Sequence, residues 1–354
     1  MLAAAAADDP PSHNVILITI DGVRIQEIFA GMDPLLAEHS ESIEYSEIEQ
    51  SRERYWRETP EARREALMPF FWGTLAPQGV VLGNQGLGSS VKVRNSILGS
   101  SPGYSEILTG EAQADVVDNS LIRYPHRTVL EYVRSELQLG RHEVAQFGSW
   151  DGFKTIAAST DDAIFMNGAY DPVPAHLSTP QMDYLAELRP KIMGLWEESS
   201  NDAISYRLAR DYLVKNRPRL MWFAFGQSDD WAHADRYDRL LNYLHLVDSM
   251  LKDLWTVLQA SEAYRDTTTL VITTDHGRGL TGKDWVEHDP AVPGSDDIWV
   301  AVIGPDTPDM GEVSPAPTVY QSDVAATVLQ FFDLDYESFN PNAGPPIPGT
   351  KISN

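Results

Sequence analysis

The sequence predicts an α/β fold, a three-layer α/β/α sandwich around a central, mostly parallel sheet. Three observations carry this. "NVILITI" (14–20) is an unbroken, β-branched run closed by Asp21-Gly22, the pattern of a strand buried on both faces. Four later runs share its character and most end at Gly or Asp: "EVAQFG" (143–148), "LMWFAFG" (220–226), "TLVITTDHG" (269–277) and "IWVAVIG" (298–304). Segments of helical period lie between them, and strands alternating with helices build such sandwiches.

After the first strand, residues 31–76 are charged and aromatic, with a helix expected around "TPEARREALMPFFWGTL" (59–75). In "SSPGYSEILTG" (100–110), Pro102 and Gly103 predict a bend that runs into a short helix, with Ser100 and Ser101 standing against it. "TVLEYVRSEL" (128–137) reads as a helix, and residues 160–200 hold "NGAYDPVPAHLSTP" with a helix after it. The clearest helix spans 236–258, where Leu240, Leu241, Leu244, Val247, Leu251, Leu254 and Leu258 recur at spacings of three and four. "SDVAATVLQFF" (322–332) is another, and the Pro/Gly-rich "NPNAGPPIPG" (340–349) is expected on the surface.

Residues 31–76 and 160–200 break the alternation. They read as insertions beside the functional edge of one catalytic domain over 14–339, with 340–354 as a tail. Their aromatic residues are Tyr55, Trp56, Phe70, Phe71, Trp72, Phe165 and Tyr170. These are expected either to pack their own helices or to wall a substrate with a planar or apolar leaving group.

The 354 residues carry 52 acidic against 27 basic side chains, a formal net charge of −25. So negative a surface repels nucleic acid duplexes and anionic lipid. It holds an anionic substrate only where bound cations reverse the local field. There is no cysteine, which excludes disulfides, thiolate metal sites and thiol nucleophiles. No apolar run approaches the ~20 residues of a membrane span. "MLAAAAADDPPSH" (1–13) reads either as the remnant of a cleaved export signal, which points to a periplasmic or secreted protein, or as a disordered start.

Ligands of open α/β sheets lie beyond the carboxyl ends of the strands. Asp21 follows the first strand, Asp229 and His233 follow 220–226 in "GQSDDWAHA", and Asp275 and His276 close 269–274. His288 lies in the next loop, "WVEHDPAVPG". Singly, each has an ordinary reading: Asp after a strand caps a helix, Asp-x-x-x-His is one salt-bridged turn, and a lone loop His is surface. Jointly, three Asp, three His and a serine hydroxyl at one sheet edge suit a metal centre. Oxygen and imidazole donors without thiolate favour Zn²⁺ or Mn²⁺.

"NVILITIDG", "SSPGYSEILTG", "DDWAH", "TTDHG" and a downstream His resemble, in that order, the motifs of the alkaline phosphatase superfamily, in its nucleotide pyrophosphatase/phosphodiesterase-like branch. "YQSDVAATVLQFF" (320–332) resembles the helix that closes this alkaline phosphatase-like fold. The resemblance covers most of the core but neither insertion. It implies two divalent ions, Zn²⁺ ahead of Mn²⁺, about 4 Å apart. One would be held by Asp229, His233 and His288. The other would be held by Asp21, Asp275, His276 and the oxygen of the nucleophile.

The resemblance also implies Ser100, not Ser101, as nucleophile, because Ser100 stands ten residues before Gly110 and two before Pro102. Tyr104 occupies the position where sulfatases carry Arg, which argues against a formylglycine sulfatase. Ser228 stands where the diesterase branch has Pro. Beside Asp229, Asp230 is expected as a solvated acid on a first helical turn. Asn119 is matched to the oxyanion-binding Asn of a diesterase. Arg24 is expected either against a substrate phosphate or in a salt bridge with Glu27 or another acid.

The implied function is a two-metal hydrolase of small-molecule phosphate esters, monoesters or diesters, acting through a phosphoseryl intermediate. A phosphomutase of the same superfamily and a non-catalytic metal-binding relative are the alternatives. The one compact basic stretch, "RPRL" (217–220), leads into a strand and is poorly placed to grip a mutase substrate. An intact Ser100 with a complete ligand set argues against lost catalysis.

Overall fold

A computed structural model of the chain describes residues 13–352. The export-signal segment, apart from His13, therefore lies outside the described residues. The strands are β1 (Asn14–Ile20), β2 (Gly79–Leu82), β3 (Val91–Lys92), β4 (Val144–Gly148), β5 (Phe165–Asn167), β6 (Leu220–Phe225), β7 (Thr268–Thr273), β8 (Asp297–Ile298), β9 (Val300–Ile303), β10 (Gly311–Glu312) and β11 (Val319–Tyr320). Eight of them form one sheet in the order β10-β2-β9-β7-β1-β6-β4-β5, and β11-β3-β8 form a small second sheet.

From β7 to β5 every pairing is parallel. Only β9 runs against its neighbours, β7 and β2. The register pairs Thr19 with both Ala224 and Thr273. The carboxyl ends of β1, β6 and β7 are therefore level, and Asp21, Asp229 and Asp275 all start from one edge.

Alternation along the strands makes the three layers. Ile16, Ile18 and Ile20 of β1 join a core with the helices Tyr237–Ala260 and Asp202–Asn216. Val15 and Leu17 join a separate core with Ser100–Thr109, Val129–Glu136 and Asp323–Gln330. All seven residues of β1 are buried, as an unbroken apolar run requires.

Several expectations change. Residues 34–75 fold into helices Pro34–Ser40, Ile48–Tyr55 and Pro60–Leu67 and a π-turn Phe71–Leu75. They dock on helix Tyr237–Ala260: the Glu47 amide donates to Asp238 at 3.0 Å, the Phe71 amide to Asp248 at 2.7 Å, and the Tyr55 hydroxyl to Asn242 at 2.9 Å. Tyr55, Phe71 and Trp72 are core residues, because helix-spaced aromatics bury most area there. Residues 160–200 contribute an edge strand, β5, to the main sheet.

"SSPGYSEILT" contains no bend. It is one helix, with Pro102 in the first turn, where its missing N–H leaves no bond unmade. The Pro/Gly-rich tail also does not lie free on the surface. Ile347 and Thr350 are buried, the Gly344 amide donates to Gly110 at 3.1 Å, and the Ile347 amide to Thr327 Oγ1 at 2.9 Å. Among the described residues no helix is long and apolar enough to cross a membrane.

Candidate metal centre and nucleophile

Each turn at the sheet edge is shaped by close approach. After β1 the chain turns at Gly22, whose φ is +60°; a Cβ there would meet Arg278 Nε and Asp229 Oδ1 at 2.8 Å. The Gly22 amide donates to Asp275 Oδ1 at 2.9 Å. Across the sheet edge, Gly103 lets helix Ser100–Thr109 pass so close that a Cβ would lie 2.4 Å from the Asp275 carbonyl. Gln321 Nε2 donates to that same carbonyl at 2.6 Å, tying in the closing helix segment.

Two donor groups result. In the first, Asp229, His233 and His288 converge; His233 Nε2 lies 3.2 Å from Asp229 Oδ2 and 3.1 Å from His288 Nε2. In the second, Asp21, Asp229 and His276 converge, with Asp275 alongside. Here His276 Nε2 lies 3.5 Å from Asp21 Oδ1, 3.3 Å from Asp275 Oδ2 and 3.9 Å from Asp229 Oδ1. Asp229 thus belongs to both groups.

The imidazoles are set up as ligands. His276 Nδ1 bonds the Gly277 carbonyl at 3.0 Å, and His288 Nδ1 bonds the Leu98 carbonyl at 2.6 Å. A carbonyl accepts only a proton-bearing nitrogen, so each ring turns the lone pair of Nε2 toward the site. Burial lowers the pKa of His276 to about 3, and burial together with His276 lowers that of His288 to about 2. Both rings are therefore neutral.

The carboxylates shift the other way. Burial pushes Asp275 up to about 7, and burial plus repulsion from Asp275 holds Asp21 well above the usual carboxylate range. Asp21 Oδ1, Asp275 Oδ2 and His276 Nε2 are buried with no hydrogen-bond partner. Most buried polar atoms have one. Three orphans facing one another fit a divalent cation, which would take the lone pairs and relieve the crowded charge.

Ser100 opens its helix and lines a cavity of ≈ 310 Å³ together with Asp21, Asp229 and Asn119. Ser101 does not line it, and its hydroxyl is buried. Asn119 Oδ1 accepts the Ser101 amide at 2.9 Å, which leaves its Nδ2 as the donor free for the cavity.

Arg24 is not brought to this cavity. It is 1 % exposed and is held by the Glu27 carboxylate, by Asp33 at 3.0 Å and by the Gly279 carbonyl at 3.1 Å. A guanidinium so buried needs carboxylate partners, so the salt-bridge alternative holds. Asp230 is not solvated as expected but is 8 % exposed, with its pKa raised to about 7 by burial and by Asp202. The cavity's aromatic residues are Trp150, Phe153 and Trp196, none of those expected from sequence.

Two further residues touch the donor groups. The Tyr104 hydroxyl donates to Asp21 Oδ2 at 3.0 Å. Arg278, buried, donates to Asp229 Oδ1 and, at 2.7 Å, to the Val286 carbonyl. A lone Tyr in a helix and an Arg after "DHG" carry no periodic or motif signal of their own.

No family model matches the sequence, and no curated protein matches it. Solved structures do. A mutant of the alkaline phosphatase PafA is similar at 10% identity and a TM-score of 0.60, covering 98% of this chain and 100% of its own. A protein of the alkaline phosphatase superfamily from Vibrio parahaemolyticus is similar at 14% identity and a TM-score of 0.52, over 92% of this chain and 67% of its own. A 2-O GAG sulfatase is similar at 13% identity and a TM-score of 0.55, over 92% of this chain and 71% of its own. The chain has the alkaline phosphatase superfamily fold. These structures do not single out the nucleotide pyrophosphatase/phosphodiesterase-like branch.

Proposed function

We propose that this chain is a metal-dependent hydrolase of small-molecule phosphate esters that works through a phosphoseryl intermediate on Ser100. The observation that carries the proposal is the orphaned trio Asp21 Oδ1, Asp275 Oδ2 and His276 Nε2 at the sheet edge whose Asp21 shares the Ser100 cavity. The donor chemistry fits two divalent cations, Zn²⁺ first and Mn²⁺ next. Asp229, His233 and His288 would hold one; Asp21, Asp275, His276 and the Ser100 hydroxyl would hold the other. Bound there, such ions supply Lewis-acid charge and acidify a hydroxyl.

Ser100 Oγ forms the new bond to phosphorus as the bond to the alcohol oxygen breaks, and the alcohol leaves with a proton. Water then takes the phosphoryl group from Ser100, which recovers its proton. Asn119 donates through Nδ2 to a phosphoryl oxygen. Tyr104 orients Asp21, and the Leu98 and Gly277 carbonyls fix the tautomers of His288 and His276. Against the mutase reading, no Lys or Arg lines the cavity among the described residues. A periplasmic or secreted location belongs to the same proposal and rests on residues 1–13.

The test is turnover of chromogenic phosphate mono- and diesters, a phosphonate and a sulfate by protein reconstituted with Zn²⁺ or Mn²⁺. Phosphate esters should be cleaved, with nearly all turnover lost in Ser100→Ala and most kept in Ser101→Ala. No cleavage of any phosphate ester, or an active Ser100→Ala beside an inactive Ser101→Ala, overturns the proposal.

A further inference from the structure

We infer that Arg278 is the positioning residue of the first donor group, Asp229, His233 and His288. It claims one oxygen of Asp229, so that this carboxylate faces the group through its other oxygen alone. The inference rests on the metal-dependent reading above and gives a role to a residue which that reading leaves without one.

Asp229 belongs to both donor groups. Its Oδ2 lies 3.2 Å from His233 Nε2, and its Oδ1 lies 3.9 Å from His276 Nε2 in the second group. A carboxylate so placed can turn from one group to the other or bridge them. Arg278 removes that freedom. Its Nη2 donates to Asp229 Oδ1, and its Nη1 donates to the Val286 carbonyl at 2.7 Å.

The guanidinium fork thereby joins three segments of chain. Arg278 stands two residues beyond His276, Asp229 lies in helix Gln227–His233, and Val286 stands two residues before His288. The Gly279 amide closes the same loop by donating to the Glu287 carbonyl at 3.1 Å. The Val286 backbone is also a hydrogen-bonding neighbour of the His233 ring. A planar fork holds two acceptors at a fixed separation, which a single ammonium does not.

The turn after β1 is shaped around this side chain. Arg278 is 1 % exposed, and a Cβ on Gly22 would lie 2.8 Å from its Nε. Arg24, also buried, is held by Glu27 and Asp33, carboxylates that stand in neither donor group. Arg278 instead holds a donor. The members of the second group have other supports. Tyr104 donates to Asp21, the Gly22 amide donates to Asp275, and the Gly277 carbonyl holds His276. None of these passes through Arg278. Its loss should therefore be felt at His233 and His288 and not at His276.

The test uses the full chain with isotope-labelled histidine. Magnetic resonance follows the ring nitrogens while a chelator of known affinity sets the free Zn²⁺. Coordination at His233 and His288 reports one ion, and coordination at His276 reports the other. In Arg278→Met, the free Zn²⁺ that half-occupies His233 and His288 should rise about 10–100-fold, while that for His276 moves by less than about threefold. Arg278→Lys keeps the charge without the fork and should fall between the wild type and Arg278→Met. It carries the test alone where Arg278→Met does not fold. Turnover of a phosphate ester is measured on the same samples.

An equal loss at all three rings makes Arg278 a support of the fold only. Tighter Zn²⁺ binding at all three makes it a charge that competes with the ions, and no change makes it neither. Each of these overturns the inference and leaves the hydrolase reading standing. The expected split in a protein that cleaves no phosphate ester overturns the hydrolase reading and keeps the inference. A wild type whose rings take up no Zn²⁺ overturns both.

Discussion

Replacing Tyr104 by Phe removes one oxygen and leaves the ring where it is. The ring packs edge-on to Phe153 at 5.1 Å and against Trp222 at 5.5 Å, and both contacts survive the change. What is lost is the hydroxyl's bond to Asp21 Oδ2 at 3.0 Å. A hydrogen bond to a charged acceptor contributes about 1.5–3 kcal/mol. If that orientation of Asp21 serves metal binding, affinity should fall by roughly 10–100-fold, the range seen when such supporting bonds are cut. The assay is competition of the protein with a chelator of known affinity for Zn²⁺, at fixed pH. Tyr132→Phe is the control, because its hydroxyl bonds the Asp335 carbonyl at 3.3 Å, away from the donor groups. Zn²⁺ affinity of Tyr104→Phe within twofold of wild type would refute the argument that Tyr104 holds Asp21 for the metal.

Metal affinity should also depend on pH through the carboxylates. Asp275, raised to about 7 by burial, holds a proton below that pH that a metal must displace, while His276 and His288 hold none until about pH 3 and 2. Apparent affinity should therefore fall as pH drops below about 7, with proton release on binding greatest on the acid side. Calorimetry in buffers of different ionisation enthalpy measures this, and a proton release that does not change from acid to alkaline pH contradicts it. Arg24→Met should leave Glu27 and Asp33 without their cation and destabilise the fold by about 3–5 kcal/mol. Thermal unfolding should record that loss while KM stays near the wild-type value; a raised KM with unchanged melting would return Arg24 to the substrate.

The sheet and its working edge were legible in the sequence because buried parallel strands are unbroken apolar runs, as in 14–20, and because their ends carry the polar residues. The same logic brought Asp21, Asp229, His233, Asp275, His276 and His288 to one edge. Short strands such as β2 and the edge strands β5 and β10 have too few residues to show a period. Pro-Gly misled at 102–103 because a first helical turn tolerates Pro, and Gly there serves the approach to Asp275. Charge partners are only partly local. Arg24 pairs with Glu27 three residues on, one of the two sequence alternatives, and also with Asp33, while Asp230, next to Asp229 in sequence, lines the cavity with no ion pair among the described residues. The aromatic wall was misplaced for a similar reason. Trp150 and Trp196 stand 46 residues apart in sequence and line one cavity, beside a bridge that pairs Trp150 with Ser199.

The central claim is that Ser100 carries the phosphoryl group during turnover. Metal-reconstituted protein can be mixed with a cleaved phosphate ester, quenched in acid, digested and read by mass spectrometry. The account predicts a phosphoryl adduct on Ser100 during turnover, absent from Ser100→Ala, which should also be inactive. Full turnover with no adduct on any serine, or an adduct on Ser101 with Ser100 unmodified, would contradict it.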